Sequence, residues 1–485
     1  MKRNLKYIAL ICLTISLSSC KKDFLKESSQ DQVKPTTTAA LNQLMTGEAY
    51  QLTSVMHDYI ELLNDDVQSD FNENVFVQTA LTKYAPVFTW RRDMLDKLIE
   101  VSATYPNAWF NYYSRIKGCN VVLDYVDRVE GTTAEKENLR GQALALRSFY
   151  YFMMVNLFGK PYIGTAVNPE TDLGVPLILT AEVNDEPIKR STVKEVYHQI
   201  TQDLLQAIPL LSAYGGGNHL YKFNQTGAKF LLSRVYLYMG NWDGCIQYAD
   251  QTLAEKSALK QYNEITSFTY GISVGLTSPE VIWGYGVNAE LGSMPFGGNQ
   301  SEVRGAYSVS DDLLNNFAST DLRLKYNFTN TVILSTFTAY KGRSAKFAQS
   351  NTNSMAFRTA EAYLNRAEAY IQKALAGDQS GIAKALADLN TLRFNRITTA
   401  AYVPINITDV QELYTFCKNE RRRELSFENS RWFDLRRWGM PAIQHRFQVT
   451  SGSPNVLTLE RNDNRYTLGI PAEALSRNPN LIQNP

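Results

Sequence analysis

The chain has 485 residues, and its 49 Lys and Arg nearly balance its 48 Asp and Glu. Such a length can bury a large core, either as one α-rich unit or as about three domains. The balanced charge argues against a polyanion binder such as a nucleic-acid-binding protein, because counterion release needs a clustered basic excess.

The first nineteen residues have the pattern of an export signal. A basic start, "MKRNLK", precedes the apolar stretch "YIALICLTISLS", which is too short to span a bilayer. The run "LSSC" that ends it resembles the bacterial lipobox, which predicts cleavage before Cys20 and lipidation of that cysteine. The alternative is an ordinary signal peptide with an incidental cysteine. Without these residues the net charge would be about −2.

Residues 20–38 are polar, carry Pro35 and a threonine run, and are typical of a flexible tether. The start Cys-Lys-Lys-Asp resembles the signal that sends lipoproteins of the Bacteroidetes to the cell surface. Beyond the tether, Cys119, Cys245 and Cys417 are far apart and odd in number, so we expect buried free thiols rather than disulfides.

Helical patterns dominate the next two hundred residues. Residues 107–129 place apolar side chains on one helical face, and a second helix continues to Gly159 and Pro161. Thr132 and Glu135 have capping-box spacing between the two, and Thr192 and Glu195 repeat that spacing before a later helix. The segment therefore predicts helical hairpins.

Two further segments resemble tetratricopeptide units. Residues 226–255 give a helix, a Gly-Asn-Trp-Asp turn and a helix with small residues, and residues 356–393 repeat this order. Small side chains are needed where two helices cross closely. No strict 34-residue period is present, so we expect degenerate helix pairs.

Residues of about 261–350 lose helical periodicity and gain Gly, Asn, Ser and aromatic residues. The stretch "EVIWGYGV" alternates like a short strand, and "GSMPFGGNQ" is typical of turns. Because long irregular insertions on a helical scaffold often carry function, we expect the ligand surface here.

Signals for catalysis are weak. The four histidines lack paired spacing, so we expect no metal and no cofactor. "GISVG" at 271–275 matches a nucleophile-elbow pattern, but Pro279 follows where a helix should begin. Carboxylate pairs such as Asp65 and Asp66 would suit a glycosidase, yet any chain with 48 acids contains many such pairs.

Binding without chemistry is easier to support, because sugars stack on exposed aromatic rings beside polar side chains. The first candidate group lies at 66–91 and the second in the irregular segment. Each ring also has a core-packing interpretation, and the acidic loop at 63–74 has a solvated one. The ligand-binding candidates are Asp66, Tyr84, Trp90, Arg91, Trp283, Tyr285, Asn288 and Phe296.

The stretch "ERRRELSFENSRWFDLRRWG" at 420–439 looks like an anion site. Its six arginines face four acids, with opposite charges three residues apart, such as Arg421 with Glu424, Glu428 with Arg431, and Asp434 with Arg437. Leu425, Trp432, Leu435 and Trp438 form one apolar stripe. The pattern predicts an internal clamp on the helical scaffold.

Several motifs together resemble the SusD/RagB family over nearly the whole chain. They are the lipobox, "WFNYYSRIKGCNVVLDYV", "RGQALALRSFYYFMMVNLFGKPYI", "AEAYLNRAEAY", the arginine block and the closing "LGIPAEALSRNPNLIQNP". The resemblance implies a mainly α fold with a tetratricopeptide-like scaffold and a large irregular region containing a few short strands. We expect an N-terminal helical part at 39–260 and a C-terminal part at 261–485, packed as one compact unit.

The resemblance also implies a function. Members are surface lipoproteins of the outer membrane that bind glycans and sit over a SusC-type TonB-dependent barrel, and they are not enzymes. We therefore expect a glycan ligand, a barrel partner and a lipid anchor at Cys20, with no nucleic acid bound. The alternatives are the same role for peptides, a lipoprotein glycoside hydrolase, or a helical-repeat adaptor without a small ligand.

Overall fold

The computed structural model describes residues 34–50, 58–69, 71, 73, 75–101, 107–182, 186–215, 219–267, 275, 277–287, 306–333, 338–344, 346 and 353–485. The predicted sites Cys20, Asn288 and Phe296 lie outside these residues, as does most of "GISVG". The described chain is mainly helical with a few short strands, which confirms the predicted fold class.

The helices have the following bounds, in chain order. They are α1 (Thr38–Leu44), α2 (Val75–Phe88), α3 (Met94–Val101), α4 (Ala108–Tyr125), α5 (Thr133–Phe158), α6 (Val193–Tyr214), α7 (Gln225–Met239), α8 (Trp242–Glu255), α9 (Asp311–Asn315), α10 (Leu322–Tyr326), α11 (Thr359–Leu375), α12 (Ile382–Phe394), α13 (Val410–Leu425), α14 (Arg431–Arg437) and α15 (Ala472–Arg477). Within the described ranges, no helix has both the length and the apolar character to cross a membrane.

Short turns of 3-10 helix and one π-helical turn complete the helical part. The π turn is Met45–Ala49, and the 3-10 turns are Asp58–Leu63, Tyr262–Glu264, Gln379–Gly381, Thr399–Ala401 and Asn464–Tyr466. The strands are β1 (Val67–Ser69), β2 (Val281–Val287), β3 (Tyr307–Val309), β4 (Phe328–Ile333), β5 (Thr338–Ser344), β6 (Asn353–Arg358), β7 (Ile443–Phe447) and β8 (Asn455–Leu459). They pair antiparallel as β1 with β3, β2 with β6, β4 with β5, and β7 with β8.

Helices α4 and α5 form the predicted hairpin. The Thr132 side chain accepts from the Glu135 backbone N–H, while the Glu135 carboxylate accepts from the Thr132 N–H, so the predicted capping box is present. Thr192 and Glu195 form the second predicted box at the start of α6. A Cβ at Gly118 would lie 2.6 Å from the carbonyl of Glu48, so glycine is required where α4 contacts the π turn.

The two predicted tetratricopeptide-like segments are the helix pairs α7 with α8 and α11 with α12. Gly240 ends α7 in a left-handed conformation, with φ of 71°, and Asn241 caps α8. Helices α8 and α11 approach closely, since the Cys245 thiol lies 3.4 Å from the Asn365 carbonyl oxygen. The small residues at this contact are buried, as close helix crossing requires. Cys119, Cys245 and Cys417 are buried free thiols, as predicted.

The arginine block is buried against the scaffold, which confirms its interpretation as a clamp. It is not one continuous helix, because Phe427 and Asn429 take left-handed φ values of 61° and 55° and separate α13 from α14. The turn carries the apolar stripe onto the core, where Leu425, Trp432 and Leu435 are at most 3% exposed.

Two of the three ion pairs predicted within the block are wrong. Glu424 contacts Arg323, Arg358 and Arg396 at 2.9 to 3.0 Å rather than Arg421. Glu428 likewise contacts Arg358 and Lys346, both at 2.6 Å. The left-handed residues after α13 separate Glu428 from Arg431. Arg421 and Glu424 lie on the same helix, yet Arg421 pairs with Asp434 and Glu424 pairs with arginines of distant segments.

The third predicted pair is present, with Asp434 Oδ1 at 2.8 Å from Arg437 Nε. Arg437 also contacts Glu368 on α11 at 2.6 Å, and Arg421 contacts the other oxygen of Asp434. The clamp therefore joins α13 and α14 to α11 through buried ion pairs.

Candidate ligand-binding groove

Two of the aromatic rings predicted as sugar platforms lie in the core. Trp90 is 3% exposed, and its Nε1 donates to the Leu63 carbonyl oxygen at 2.8 Å. Tyr84 is 2% exposed and meets Tyr307 edge-on, with ring centroids 6.4 Å apart. Neither ring has a free face, so the structure favours the core-packing interpretation of both.

The strand rings have a similar environment. Trp283 and Tyr285 stack with centroids 4.8 Å apart on one face of β2, as period-two alternation predicts. That face packs on Phe149, Phe223 and other buried rings, which leaves Trp283 1% and Tyr285 9% exposed. Here too the core-packing interpretation is favoured.

The two charged candidates differ. Asp66 is fully buried and receives a hydrogen bond from Arg422 Nε at 2.6 Å, while its Oδ2 has no hydrogen-bond partner. Arg91 is exposed, and Asp93 accepts two hydrogen bonds from its guanidinium. Of the described candidates, Arg91 is therefore the one that solvent reaches freely.

A groove of about 480 Å³ lies beside the acidic loop and forms the candidate site. One wall is the outer face of the β7–β8 hairpin. Gln444 pairs with Thr458 and Arg446 pairs with Val456 across the hairpin, so these four side chains share that face. The alternate residues, such as His445 at 0% exposure, point into the core.

The facing wall is built from distant parts of the chain. It contains Asp65, Val67 and Gln68 around β1 and Ser310 and Asp312 at the start of α9. The Ser310 N–H donates to the Asp66 carbonyl oxygen at 2.8 Å, and Gln68 Oε1 accepts from the backbone N–H that follows Ser310 at 3.0 Å. These bonds fix the wall, so the groove is preformed.

The groove offers mostly neutral chemistry. Gln444 and Thr458 present amide and hydroxyl groups, and Val456 presents apolar surface at 62% exposure. Its described carboxylates are both ion-paired, Asp65 with Arg431 at 2.8 Å and Asp312 with Arg422 at 2.7 Å. Burial alone would raise the pKa of Asp65, but Arg431 and Arg422 hold that pKa well below its usual value.

Sequence reasoning missed the hairpin wall and found only part of the loop wall. The acidic loop was predicted to supply polar contacts or to be solvated. Its carboxylates Asp65 and Asp66 are instead held by arginines of the clamp, whereas Glu73 is exposed. The alternation of "IQHRF" and "NVLTL" could have indicated a hairpin with an outward polar face.

His445 supports the hairpin from behind the groove. Its ring lies between Phe88 and Trp90, with both centroid distances 4.1 Å. Its two nitrogens lie 2.8 Å from the carbonyl oxygens of Phe88 and Asn64. Burial lowers the pKa of His445 to about 4, although these carbonyls and the charge of Asp65 act in the opposite direction.

We expect this burial to make the protein acid-sensitive. The folded pKa of about 4 lies below the ordinary histidine value of 6.5, so the unfolded chain binds a proton first as pH falls. The stability from His445 is complete above pH 6.5 and is lost towards pH 4. Between pH 7 and 5 we expect His445 to lower the free energy of unfolding by about 2 kcal/mol. Urea unfolding of the wild type and of His445→Gln at both pH values would measure this loss.

The comparison with the variant isolates His445 from other titrating groups. Burial raises the pKa of Glu61 to about 7, so its contribution is present below 4.5 and is lost as pH rises through 7, the opposite sense. His445→Gln should be less stable than the wild type at pH 7, but its free energy of unfolding should fall less between pH 7 and 5. An equal pH slope for both proteins would show that His445 does not titrate as its burial requires.

Two family models match the chain and together cover residues 23–485. One, described as "Starch-binding associating with outer membrane", matches residues 23–237, and the other, described as "SusD family", matches residues 234–485. The second covers more than half of the chain. Among curated proteins, SusD-like protein P2 of Formosa agariphila is 24% identical, over 79% of this chain and 80% of that protein.

Solved structures share the fold. A putative sugar binding protein of Bacteroides vulgatus is 25% identical with a TM-score of 0.72, over 94% of this chain and 99% of that one. A SusD superfamily protein of Bacteroides thetaiotaomicron is 22% identical with a TM-score of 0.71, over 93% and 100% of the two chains. The two family models together span both walls of the groove.

Proposed function

The chain belongs to the SusD family, and on this premise we propose that it binds a glycan at the cell surface and delivers it to a SusC-type TonB-dependent barrel in the outer membrane. The family is associated with the outer membrane and with carbohydrate binding, and relatives include a putative sugar binding protein. The glycan, the barrel and the delivery step belong to the proposal.

The observation that carries the proposal is the groove. A sugar ring needs hydrogen-bonding groups for its hydroxyls and apolar surface for its C–H faces. Gln444 and Thr458 supply the first, and Val456 supplies the second beside them. Arg91, Asn288 and Phe296 stay proposed ligand contacts.

The same groove supports binding rather than hydrolysis. A glycosidase needs one carboxyl group that carries a proton and a second that acts as base or nucleophile. Asp65 and Asp312 instead lie in ion pairs with arginine, and Arg431 and Arg422 hold the pKa of Asp65 well below its usual value. The proposed role is therefore binding without chemistry.

The anchor is proposed at Cys20. Three acyl chains on that residue would give stable attachment, whereas a single chain binds membranes only marginally. We expect Cys20→Ala to leave the membrane fraction and to incorporate no labelled fatty acid. The matched control is Cys119→Ala, which removes a buried thiol and should stay membrane-bound. Equal fractionation of the two variants would contradict lipidation at Cys20.

Peptide capture is the second candidate, and one observation favours it. Among the described lining residues there is no aromatic ring, while amide and hydroxyl groups are present. A peptide backbone would use such groups without needing a stacking platform. The two ligand classes are separated by binding tests.

We expect the double variant Gln444→Ala, Thr458→Ala to bind its glycan about 30-fold more weakly, because each of the two lost hydrogen bonds contributes roughly 1 kcal/mol. The test is affinity electrophoresis and calorimetry on residues 20–485 carrying Cys20→Ala, against a panel of polysaccharides and peptides. Gln411→Ala on the exposed face of α13 is the control.

Each outcome of this test has a separate meaning. Weaker binding by the double variant alone supports the groove as the glycan site. Equal binding by the variant and the wild type places the site elsewhere. Binding of peptides without any glycan would replace the main proposal by the peptide alternative.

A further inference from the structure

The charges around the groove are balanced by internal pairs. Arg431 donates two hydrogen bonds to the Asp65 carboxylate, both at 2.8 Å, so this cation and anion neutralise each other. Arg422 Nε binds Asp66 at 2.6 Å behind the same wall. Arg446 is the cation on the groove surface, and it also has partners within the chain.

Asp312 occupies a particular place in this arrangement. Its side chain is 74% exposed on the groove rim, and its Oδ2 accepts from Arg422 Nη1 at 2.7 Å. The Arg422 side chain is only 9% exposed, and its remaining nitrogens face Asp66 and the Asp65 carbonyl oxygen. Asp312 therefore covers the one edge of Arg422 that is directed to the rim.

The position of Asp312 has a consequence for ligand charge. A uronate or sulfate group that approached the rim would meet the exposed Asp312 carboxylate before it reached the Arg422 guanidinium. Like charges in close contact are repelled and thus discriminate against the wrong partner. A neutral sugar carries no such group and loses nothing.

We propose that Asp312 makes the groove selective for neutral glycans by shielding Arg422 from anionic sugars. The inference rests on the proposed glycan-binding function and adds the substrate class and the residue that determines it. Arg422 would otherwise offer a planar guanidinium, which is well suited to bind carboxylate or sulfate oxygens.

The experiment compares Asp312→Ala with Asp311→Ala. Asp311 is the preceding residue, exposed in the same first turn of α9, and does not line the groove. Both changes remove one negative charge from that turn, so they alter the helix and the long-range field alike. Only Asp312→Ala uncovers Arg422.

The protein is residues 20–485 with Cys20→Ala, and the probes are amylopectin and laminarin as neutral glycans and polygalacturonate and a sulfated galactan as anionic ones. Affinity is measured at two salt concentrations for the three proteins. We expect the wild type to bind a neutral probe with little dependence on salt. Asp312→Ala should raise the ratio of anionic to neutral affinity on the order of tenfold, with a salt-dependent gain.

The outcomes separate the inference from the proposed function. A higher ratio of anionic to neutral affinity for Asp312→Ala but not for Asp311→Ala supports the shielding of Arg422 by Asp312. Wild-type protein that prefers an anionic probe, or equal ratios in both variants, overturns the inference and leaves glycan binding intact. Binding of no probe by any of the three proteins overturns the glycan function itself, and the inference with it.

Discussion

Replacing Glu424 by alanine should lower the free energy of unfolding by about 3 to 5 kcal/mol, because removing one partner of a buried ion pair leaves charge without compensation. Glu424 is 1% exposed and contacts three arginines, each itself at most 1% exposed. The arginines are Arg323, Arg358 and Arg396, from three separate segments of the chain.

The ionisation of Glu424 shows how strongly the arginines act. Burial alone would raise its pKa, yet Arg396 and Arg358 hold that pKa well below the ordinary value. The carboxylate is therefore charged at neutral pH despite its burial. Its removal leaves Arg396 with Glu280, and Arg358 with Glu280 and Glu428, so these buried arginines each lose one of their charged partners.

A matched control separates burial from charge. Glu473 pairs with Arg477 at 2.5 Å on α15, and both side chains are about half exposed or more. Because exposed pairs contribute little, Glu473→Ala should cost less than about 0.5 kcal/mol. Urea unfolding of both variants measures the difference. If Glu424→Ala unfolded like Glu473→Ala, the buried network would not hold these segments together.

The parts of the fold that depend on local chemistry were predictable. Thr132 with Glu135 and Thr192 with Glu195 satisfy the free N–H groups of their own helices, so spacing alone identifies them. The same holds for β2, where alternation placed Trp283 and Tyr285 on one face. Whether that face lies in the core or in solvent depends on what packs against it, and residue spacing gives no information about the packing partners.

The partners of the charges were not predictable for the same reason. Glu428 loses its helical spacing to Arg431 because left-handed residues lie between α13 and α14. Glu424 and Arg421 keep that spacing within α13, yet each pairs with charges from other segments. The groove is a stronger case, because its walls come from residues near 65, 310 and 450. No local sequence pattern predicts that these segments meet, because the loop wall is held by Arg422 and Arg431, which are more than 300 residues away in sequence.

The closing motif "NPNLIQNP" has a physical basis in buried carbonyl groups. The Asn484 amide donates to the carbonyl oxygens of Phe158 at 2.9 Å and Leu468 at 2.6 Å. The Asn478 amide donates to the carbonyl oxygen of Ile188, and the Asn480 amide donates to that of Pro187. The tail therefore supplies donors to a part of the molecule where α5 ends.

Arg190 is the centre of this arrangement. Its guanidinium donates to four backbone carbonyl oxygens at 2.8 to 3.0 Å, those of Phe158, Leu173, Gly174 and Ile482. Burial lowers the pKa of Arg190 to about 10, so it remains a cation at neutral pH. A cation here also complements the negative end of the α5 dipole.

Arg190→Met should therefore lower the free energy of unfolding by about 3 kcal/mol, because methionine fills the space but leaves buried carbonyls without donors. The free energy of unfolding of Arg190→Lys should lie between those of the wild type and Arg190→Met, since one ammonium cannot reach four acceptors in the geometry of a guanidinium. Guanidinium unfolding measures both, with the exposed Arg461→Met as control at less than about 0.5 kcal/mol.

A local measurement distinguishes loss of the tail contact from general destabilisation. Because Arg190 joins the Ile482 carbonyl to the end of α5, its loss should raise amide hydrogen exchange in the last turn of α5 and in the tail before other helices respond. Glu424→Ala should not show this local change, since its contacts lie around α13. Exchange that rose equally in all helices of Arg190→Met would mean that the tail and α5 are held by other contacts.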